Sequence, residues 1–487
     1  MQRSLICLFI AGSILLPSWL QAQQEYQEWL KSQQSEFQNF RDERDKHFME
    51  FLEKEWEDFQ LSKGIVRDAA PKPDTIPKTT PAPVAESDEK PEEQTVVEPP
   101  PLPEPEPEPP GVIETKPSPV KISNAKQARV DFFGRKVVVE YDPEMVVRLQ
   151  TPINSDAISA FWSQIARSDY DPVHQQLREI RTSYGLNDWG YIQLLYRTGR
   201  AIQQNEPNTA KLFTWFMLLK SGYLTKVGFN ADVVYLMFPS QNSVYDVSFL
   251  SVDESRFYII PLDGDRMQLT AITSYEDDYP EATRQVDFRL RAMPQFGGTA
   301  EKKTVTFEYL GNTYSLNYRI NRHAIDFFAL YPQIELPVYP TAGLTGESAH
   351  ELLKQLGDIV AGKPETRAVN ILLRFVQTGF QYKTDDQQFG HENYLFPEET
   401  LFYPASDCED RSALFAYLVK SLLNLDVVLL DYPGHVATAV KMQSLTDRDT
   451  IQHNGSAYVV CDPTYIYAEY GMTMPSVKDQ EYSVIEL

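Results

Sequence analysis

The chain has 487 residues, 42% of them apolar, with 34 prolines and a formal net charge of −24. That acidity excludes nucleic acid and anionic lipid surfaces as partners, because binding them requires a basic face that displaces their counterions. The apolar content suffices for two globular cores once the polar N-terminal segments are set aside.

Residues 1–22 read as a secretory signal peptide, with Arg3, an apolar run from Leu5 to Leu16, then Pro17 and the small residue Ala22. The expectation is an exported protein, periplasmic or extracellular, with Cys7 removed in processing. No later stretch reaches the length needed to cross a bilayer. In residues 23–64 the aromatic residues recur at a fixed interval: Tyr26, Phe37, Phe48 and Phe59 are eleven apart, as are Trp29, Phe40 and Phe51. Eleven residues make about three helical turns, so these rings predict one stripe along an amphipathic helix. That stripe needs a surface, whether a second copy, the C-terminal half or a partner. Residues 65–120 are rich in proline and glutamate, with "VVEPPPLPEPEPEPPG" at the centre. Such a run cannot build a core and predicts a disordered, extended arm that carries the helix on the order of 100 Å from the rest.

Residues 121–340 read as an α+β domain without a catalytic set. Its runs "KLFTWFMLLKSGY", "NADVVYLMFPSQNSVYDVSFLSV" and "RFYIIPLDG" parallel "ALFAYLVKSLLNL", "LDVVLLDYPGHVATAVKM" and "AYVVCDPTY" further on. The parallel predicts a degenerate copy of the C-terminal unit, with polar residues around Glu206 in place of Cys408 and Tyr245 in place of His435. Unrelated strand orders would refute it. Residues 266–335 alternate as strands, with "LGNTYS" as a hairpin turn.

Residues 341–487 open with helices expected over 346–361 and 365–378, then a polar and aromatic loop in which Glu398 and Glu399 read as solvated surface. In "YPASDCEDRSALFAYLVKSLL", Ser406 and Glu409 have capping-box spacing, which places Cys408 in the first turn of an apolar helix. Unsatisfied N–H groups and the helix dipole favour thiolate there. Asp407, Glu409, Asp410 and Arg411 around it point to water or a polar cleft. His435 opens "HVATAVKM" after Tyr432-Pro433-Gly434, and Asp462 closes "AYVVCD", so both read as strand ends. Cys408, His435 and Asp462 thus follow one another as nucleophile, base and orienting group. Cys461 alternates to the face opposite Asp462 and reads as buried and inert rather than paired with Cys408. The histidines and remaining cysteines show no metal-ligand spacing, so neither metal nor cofactor is expected.

The stretches "SDCEDRSALFAYLV", "DYPGHVATAV" and "YVVCDPTY" resemble the transglutaminase-like branch of the papain-type cysteine enzymes, particularly its bacterial cysteine-peptidase members, over about residues 345–470. The resemblance implies an α+β core in which the cysteine-bearing helix packs on an antiparallel sheet, with histidine and aspartate on adjacent strands. It also implies an enzyme that acts on amide bonds of a protein or peptide through an acyl-thioester. Such an enzyme is a peptidase or amidase if water accepts the acyl group, and a transglutaminase if an amine does. The competing expectation is a non-catalytic envelope scaffold with a vestigial trio. Two departures stand out: Ser406 replaces the family's glycine, and the last tryptophan is Trp215, upstream of this region. The oxyanion donors are then the backbone N–H of Cys408 with Gln377, Gln381 or Asn393.

Overall fold

The computed structural model describes residues 43–64, 76–80, 95–101, 114–115, 122, 124–264, 269–298, 300–443 and 448–487. The expected signal peptide and the rings from Tyr26 to Phe40 lie outside them.

Helix α1 (Glu43–Leu52) and strand β1 (Glu57–Gln60) come first, so the expected helix ends at Leu52. Phe59 instead lies in a strand, paired with Ile272. Phe48 is buried against Trp162, Trp215 and Tyr279, at ring-centroid distances of 4.9, 6.0 and 5.2 Å. Beside it, buried Asp45 is held by Lys220 and Tyr279. In the described part of this segment, Phe48 is therefore covered by the chain's own first globular unit. Described pieces of the proline-rich segment are also docked. Val97 exchanges backbone hydrogen bonds with Gly362 and Lys363, both at 3.0 Å, and Thr79 N–H donates to Ile466 O at 2.9 Å. Strand β2 (Glu114–Thr115) adds to a further sheet.

That sheet is completed by the hairpin β3 (Lys126–Phe132) and β4 (Arg135–Tyr141). Helices α2 (Ser155–Arg167), α3 (Asp171–Ser183), α4 (Asp188–Ile202) and α5 (Pro207–Lys220) follow, then strands β5 (Lys226–Asn230), β6 (Val233–Phe238), β7 (Phe249–Val252), β8 (Ser255–Ile259) and β9 (Ala271–Ser274). Residues 285–293, expected as a strand, make only isolated bridges such as Ser240 with Val286.

The second unit begins with the hairpin β10 (Ala300–Tyr309) and β11 (Asn312–Asn321), which turns at Leu310-Gly311 with both residues at positive φ. It continues through α6 (Arg322–Phe328), α7 (Val338–Thr341), α8 (Gly346–Val360) and α9 (Glu365–Gly379). The short β12 (Gln381–Tyr382), α10 (Asp385–Gln388), α11 (Pro397–Phe402) and β13 (Ala405–Ser406) lead to α12 (Cys408–Leu423). Strands β14 (Val427–Tyr432), β15 (His435–Val440), β16 (Thr450–His453), β17 (Ser456–Cys461) and β18 (Ser483–Glu486) complete it. The β10–β11 hairpin packs on α8 and α9, so residues from 300 onward, rather than from 341, belong to this unit.

The whole is α+β with largely antiparallel sheets, and among the described residues no helix is long and apolar enough to cross a membrane. The two large sheets share one connectivity: β9-β5-β6-β8-β7 in the first unit, with β1 added outside β9, and β18-β14-β15-β17-β16 in the second. They agree in register too. Each hairpin turns in two residues, with Asn230 facing Val233 as Tyr432 faces His435, and Val252 facing Ser255 as His453 faces Ser456. Counted from those turns, the inter-hairpin pair Met237–Ile259 falls on Ala439–Val460, and each pair is observed. In both units a central helix, α5 or α12, lies between the sheet and a neighbouring helix, α4 or α9. Covered on both sides, these helices are largely apolar beyond their first turns, which is why neither shows one continuous polar face.

Candidate active site

Helix α12 starts at Cys408. Its N-cap is Asp407, whose backbone N–H donates to Oδ2 of Asp410, the third helical residue, at 3.3 Å. The capping box is thus one residue later than the expected Ser406–Glu409 pair. Ser406 sits in β13 instead, where its Oγ accepts from Arg411 Nε.

His435 is the first residue of β15, and Asp462 follows the last residue of β17, the neighbouring strand. His435 Nε2–H donates to Asp462 Oδ2 at 2.8 Å. The other carboxylate oxygen, Oδ1, accepts from Thr464 N–H at 2.9 Å and Tyr465 N–H at 3.1 Å, so the aspartate is fixed by its own turn. The Tyr432 ring lies nearly parallel to the imidazole, 6.3 Å away. Ser412 Oγ donates to Val436 O at 3.0 Å. Ser412 is one turn along α12 from Cys408, and Val436 is next to His435, so this bond ties the helix that begins with the cysteine to the strand that begins with the histidine. With Nε2 committed to Asp462, Nδ1 is the nitrogen left to accept a thiol proton.

The surroundings differ from the open polar cleft expected of the charged run. Cys408 is 0% exposed, His435 3% and Asp462 1%. Asp407, Glu409, Asp410 and Arg411 are all buried. Cys408 Sγ donates to Glu409 Oε2 at 3.0 Å, the interaction of a resting thiol. Arg411 is held by the carbonyls of Gln377 and Phe380 at 3.3 and 2.9 Å, and burial pushes its guanidinium down to about 10. Burial, then the neighbouring Asp407, Asp385 and Glu409, hold Asp410 well above the usual carboxylate range. One carboxyl oxygen each from Asp385, Glu392 and Glu409 lie within 4.8 Å of one another, as do those of Asp385, Asp407 and Asp410. Carboxyls this close must share protons or a cation. Among the described residues these are the groups that could hold a metal, and the sequence spacing of histidines and cysteines gave no hint of them.

The expected second oxyanion donors are placed elsewhere. Gln377 Nε2 donates to the carbonyls of Asp462, Tyr465 and Ala468 at 3.1, 2.8 and 3.0 Å, which makes it a clamp on the loop behind the aspartate. Gln381 is an exposed strand residue whose N–H donates to Pro404 O. Asn393 Oδ1 accepts from Gln333. The N–H of Cys408, at the first helical position, still points out of the helix end. Cys461 is fully buried, which raises its thiol far above the ordinary range, and among the described residues Cys408 and Cys461 are not joined in a disulfide. Glu398 and Glu399, expected on the surface, are buried as well, and burial carries Glu399 up to about 8.

In the first unit the positions matching Cys408, His435 and Asp462 are Pro207, Val233 and Pro261, counted from the helix start and the two hairpin turns. The residue expected opposite His435, Tyr245, lies in a loop. Comparison with known protein families, characterised proteins and solved structures finds no match.

Proposed function

We propose that the second unit is a transglutaminase-like cysteine hydrolase acting on amide bonds of a protein or peptide. The observation that carries this reading is the buried His435–Asp462 pair at 2.8 Å, in which the strand of His435 packs against the helix that starts with Cys408. His435 Nδ1 takes the Sγ proton as sulfur adds to the carbonyl carbon, then delivers it to the nitrogen as the C–N bond breaks. Water, deprotonated by the same nitrogen, releases the acid from the thioester and restores the thiol. The Cys408 N–H at the helix start faces the developing oxyanion. An amine in place of water gives transamidation, and the chemistry of these residues serves either acceptor. The apolar leader before residue 23 supports an exported location.

The closed site is the observation that favours the competing reading, an envelope scaffold with an inert trio. Labelling the purified full chain with electrophilic peptide probes separates the two. Rapid labelling at Cys408, saturable with peptide and abolished in His435→Ala, supports the enzyme. A Cys408 that reacts no faster than a free thiol below its usual pKa of about 8.5 overturns it.

A further inference from the structure

The shared connectivity of the two units has a consequence away from the trio. Helices α4 and α9 are both 15 residues long and both lie between a hairpin and a central helix. Matched start to start, Gln193 falls on Asn370, Arg197 on Arg374 and Arg200 on Gln377. In the second unit this face of α9 cradles a backbone segment, residues 462–470. Asn370 Oδ1 accepts from Tyr470 N–H at 2.8 Å, Arg374 donates to Tyr467 O at 3.2 Å, and Gln377 donates to three carbonyls while accepting from Tyr467 N–H. Arg374 also lies over the Tyr309 ring, 5.6 Å from its centroid.

The first unit keeps the same floor. Gln193 Nε2 donates to Leu262 O at 3.0 Å, in the loop that matches residues 462–470, and Arg197 lies over Phe133 at 4.1 Å. Above this floor is an open cleft of about 650 Å³, lined among others by Arg129, Gln193, Tyr196, Arg197, Arg200 and Asn205. Gln193 is fully buried and, among the described residues, its Oε1 meets no donor and the buried Nε of Arg197 meets no acceptor. The two lining carboxylates are engaged, Asp131 by Lys136 and Asp263 by Tyr196. Three guanidiniums at one cleft contrast with a chain of net charge −24.

We propose that this cleft binds an extended peptide that carries a carboxylate. Its backbone lies on Gln193 and Arg197 as residues 462–470 lie on Asn370 and Arg374. Its carboxylate meets Arg129 and Arg200, the latter held in place by bonds from Nε to Asn205 Oδ1 at 2.8 Å and from Nη1 to Tyr196 Oη at 3.2 Å, so that Nη2 is the group it presents. A buried amide oxygen and a buried guanidinium N–H match the donor and acceptor that alternate along an extended peptide. The site does not depend on turnover at Cys408, so its test is independent of the proposed enzyme activity.

Fluorescence anisotropy with the full-length Cys408→Ala protein tests it, using a labelled hexapeptide that contains two glutamates and its glutamine counterpart. Charge-assisted bonds predict that the glutamate peptide binds about ten-fold tighter or more, with a preference that fades at high salt. Arg129→Gln and Arg200→Gln, both at the rim and outside the core, should each erode the preference. Equal binding of the two peptides overturns the proposal, as does a preference that survives in the Arg129→Gln, Arg200→Gln double variant.

Discussion

Asp462→Asn is the sharpest perturbation of the site, because the surrounding hydrogen bonds dictate how the new amide must sit. Oδ1 of Asp462 accepts from the N–H groups of Thr464 and Tyr465, while Oδ2 accepts from His435 Nε2–H. A carboxamide has one oxygen and one NH₂ group. If the NH₂ group faced the two backbone donors, two buried N–H groups would lose their acceptor, at about 1–3 kcal/mol each. Keeping the oxygen on them and turning the NH₂ group to the histidine sacrifices only one interaction, so that orientation wins. Nε2 must then accept, and the ring proton moves to Nδ1, the nitrogen that has to take the thiol proton. The fold changes little, but the base is lost. By analogy with the serine-histidine-aspartate triad, the expected loss is about 10⁴-fold. Probe-labelling rates at Cys408 across the neutral pH range measure it, with urea unfolding as the control. The His435 nitrogen resonances report the tautomer directly. Wild-type labelling rates in a folded Asn variant would refute the assigned roles.

Glu399 has a folded pKa of about 8, above its unfolded value, so its stabilising protonated form is complete below about 4.5 and is lost as pH rises through about 8. The change is on the order of 4 kcal/mol, and Glu399→Gln should flatten that part of the pH–stability curve from urea titrations; unchanged slopes count against it. Gln377→Leu leaves the carbonyls of Asp462, Tyr465 and Ala468 without their shared donor, so we expect a loss of about 3–5 kcal/mol in unfolding free energy together with slower Cys408 labelling. A stable variant with normal labelling would remove Gln377 from the support of the site. Phe48→Ala opens a cavity beside Trp162 and Trp215 worth about 3–5 kcal/mol and should expose α1 to limited proteolysis while Cys408 labelling stays unchanged.

Much of the C-terminal unit is legible because its signals are local. Helices over 346–361 and 365–378 follow from apolar periodicity and appear as Gly346–Val360 and Glu365–Gly379. "LGNTYS" specifies its own turn, and strand alternation places His435 and Asp462 at the ends of their strands. What fails depends on partners distant in sequence. The charged residues around Cys408 look solvated because their composition is polar, yet residues 380–407 supply the cover: Leu395 N–H donates to Asp410, and Asp385 and Glu392 complete the acidic group. The likeness of "DVVYLMF" to "DVVLLDY" is one of apolar pattern, and pattern alone does not say which strand pairs with which. Pairing matches β6 with β15, so Val233 rather than Tyr245 stands opposite His435. Phe59 keeps the eleven-residue spacing but not the helix, since the edge of β9 offers its backbone a ladder that an isolated helix end lacks.

The difference between the units locates what makes one of them a candidate enzyme. In the first, residues 203–206 join the two packed helices directly; in the second, residues 380–407 intervene between α9 and α12. Arg411 ties this insertion to the helix, since it donates to Phe380 O at one end and to Ser406 Oγ at the other. Next to that closure stand Cys408 and the buried carboxyls. A thiolate among carboxylates is unfavourable, and the resting sulfur keeps its proton, donated to Glu409. If the second unit is the hydrolase proposed above, turnover requires two linked events, displacement of the cover by substrate and transfer of the proton to His435. Glu392 and Asp385 belong to the insertion, so its displacement would carry two carboxyls away from Glu409, the partner of the sulfur, and opening would then favour activation. In the first unit the corresponding helix begins with Pro207, no insertion covers it, and the three arginines line the other side of α4, which suits it to holding a peptide rather than cutting one.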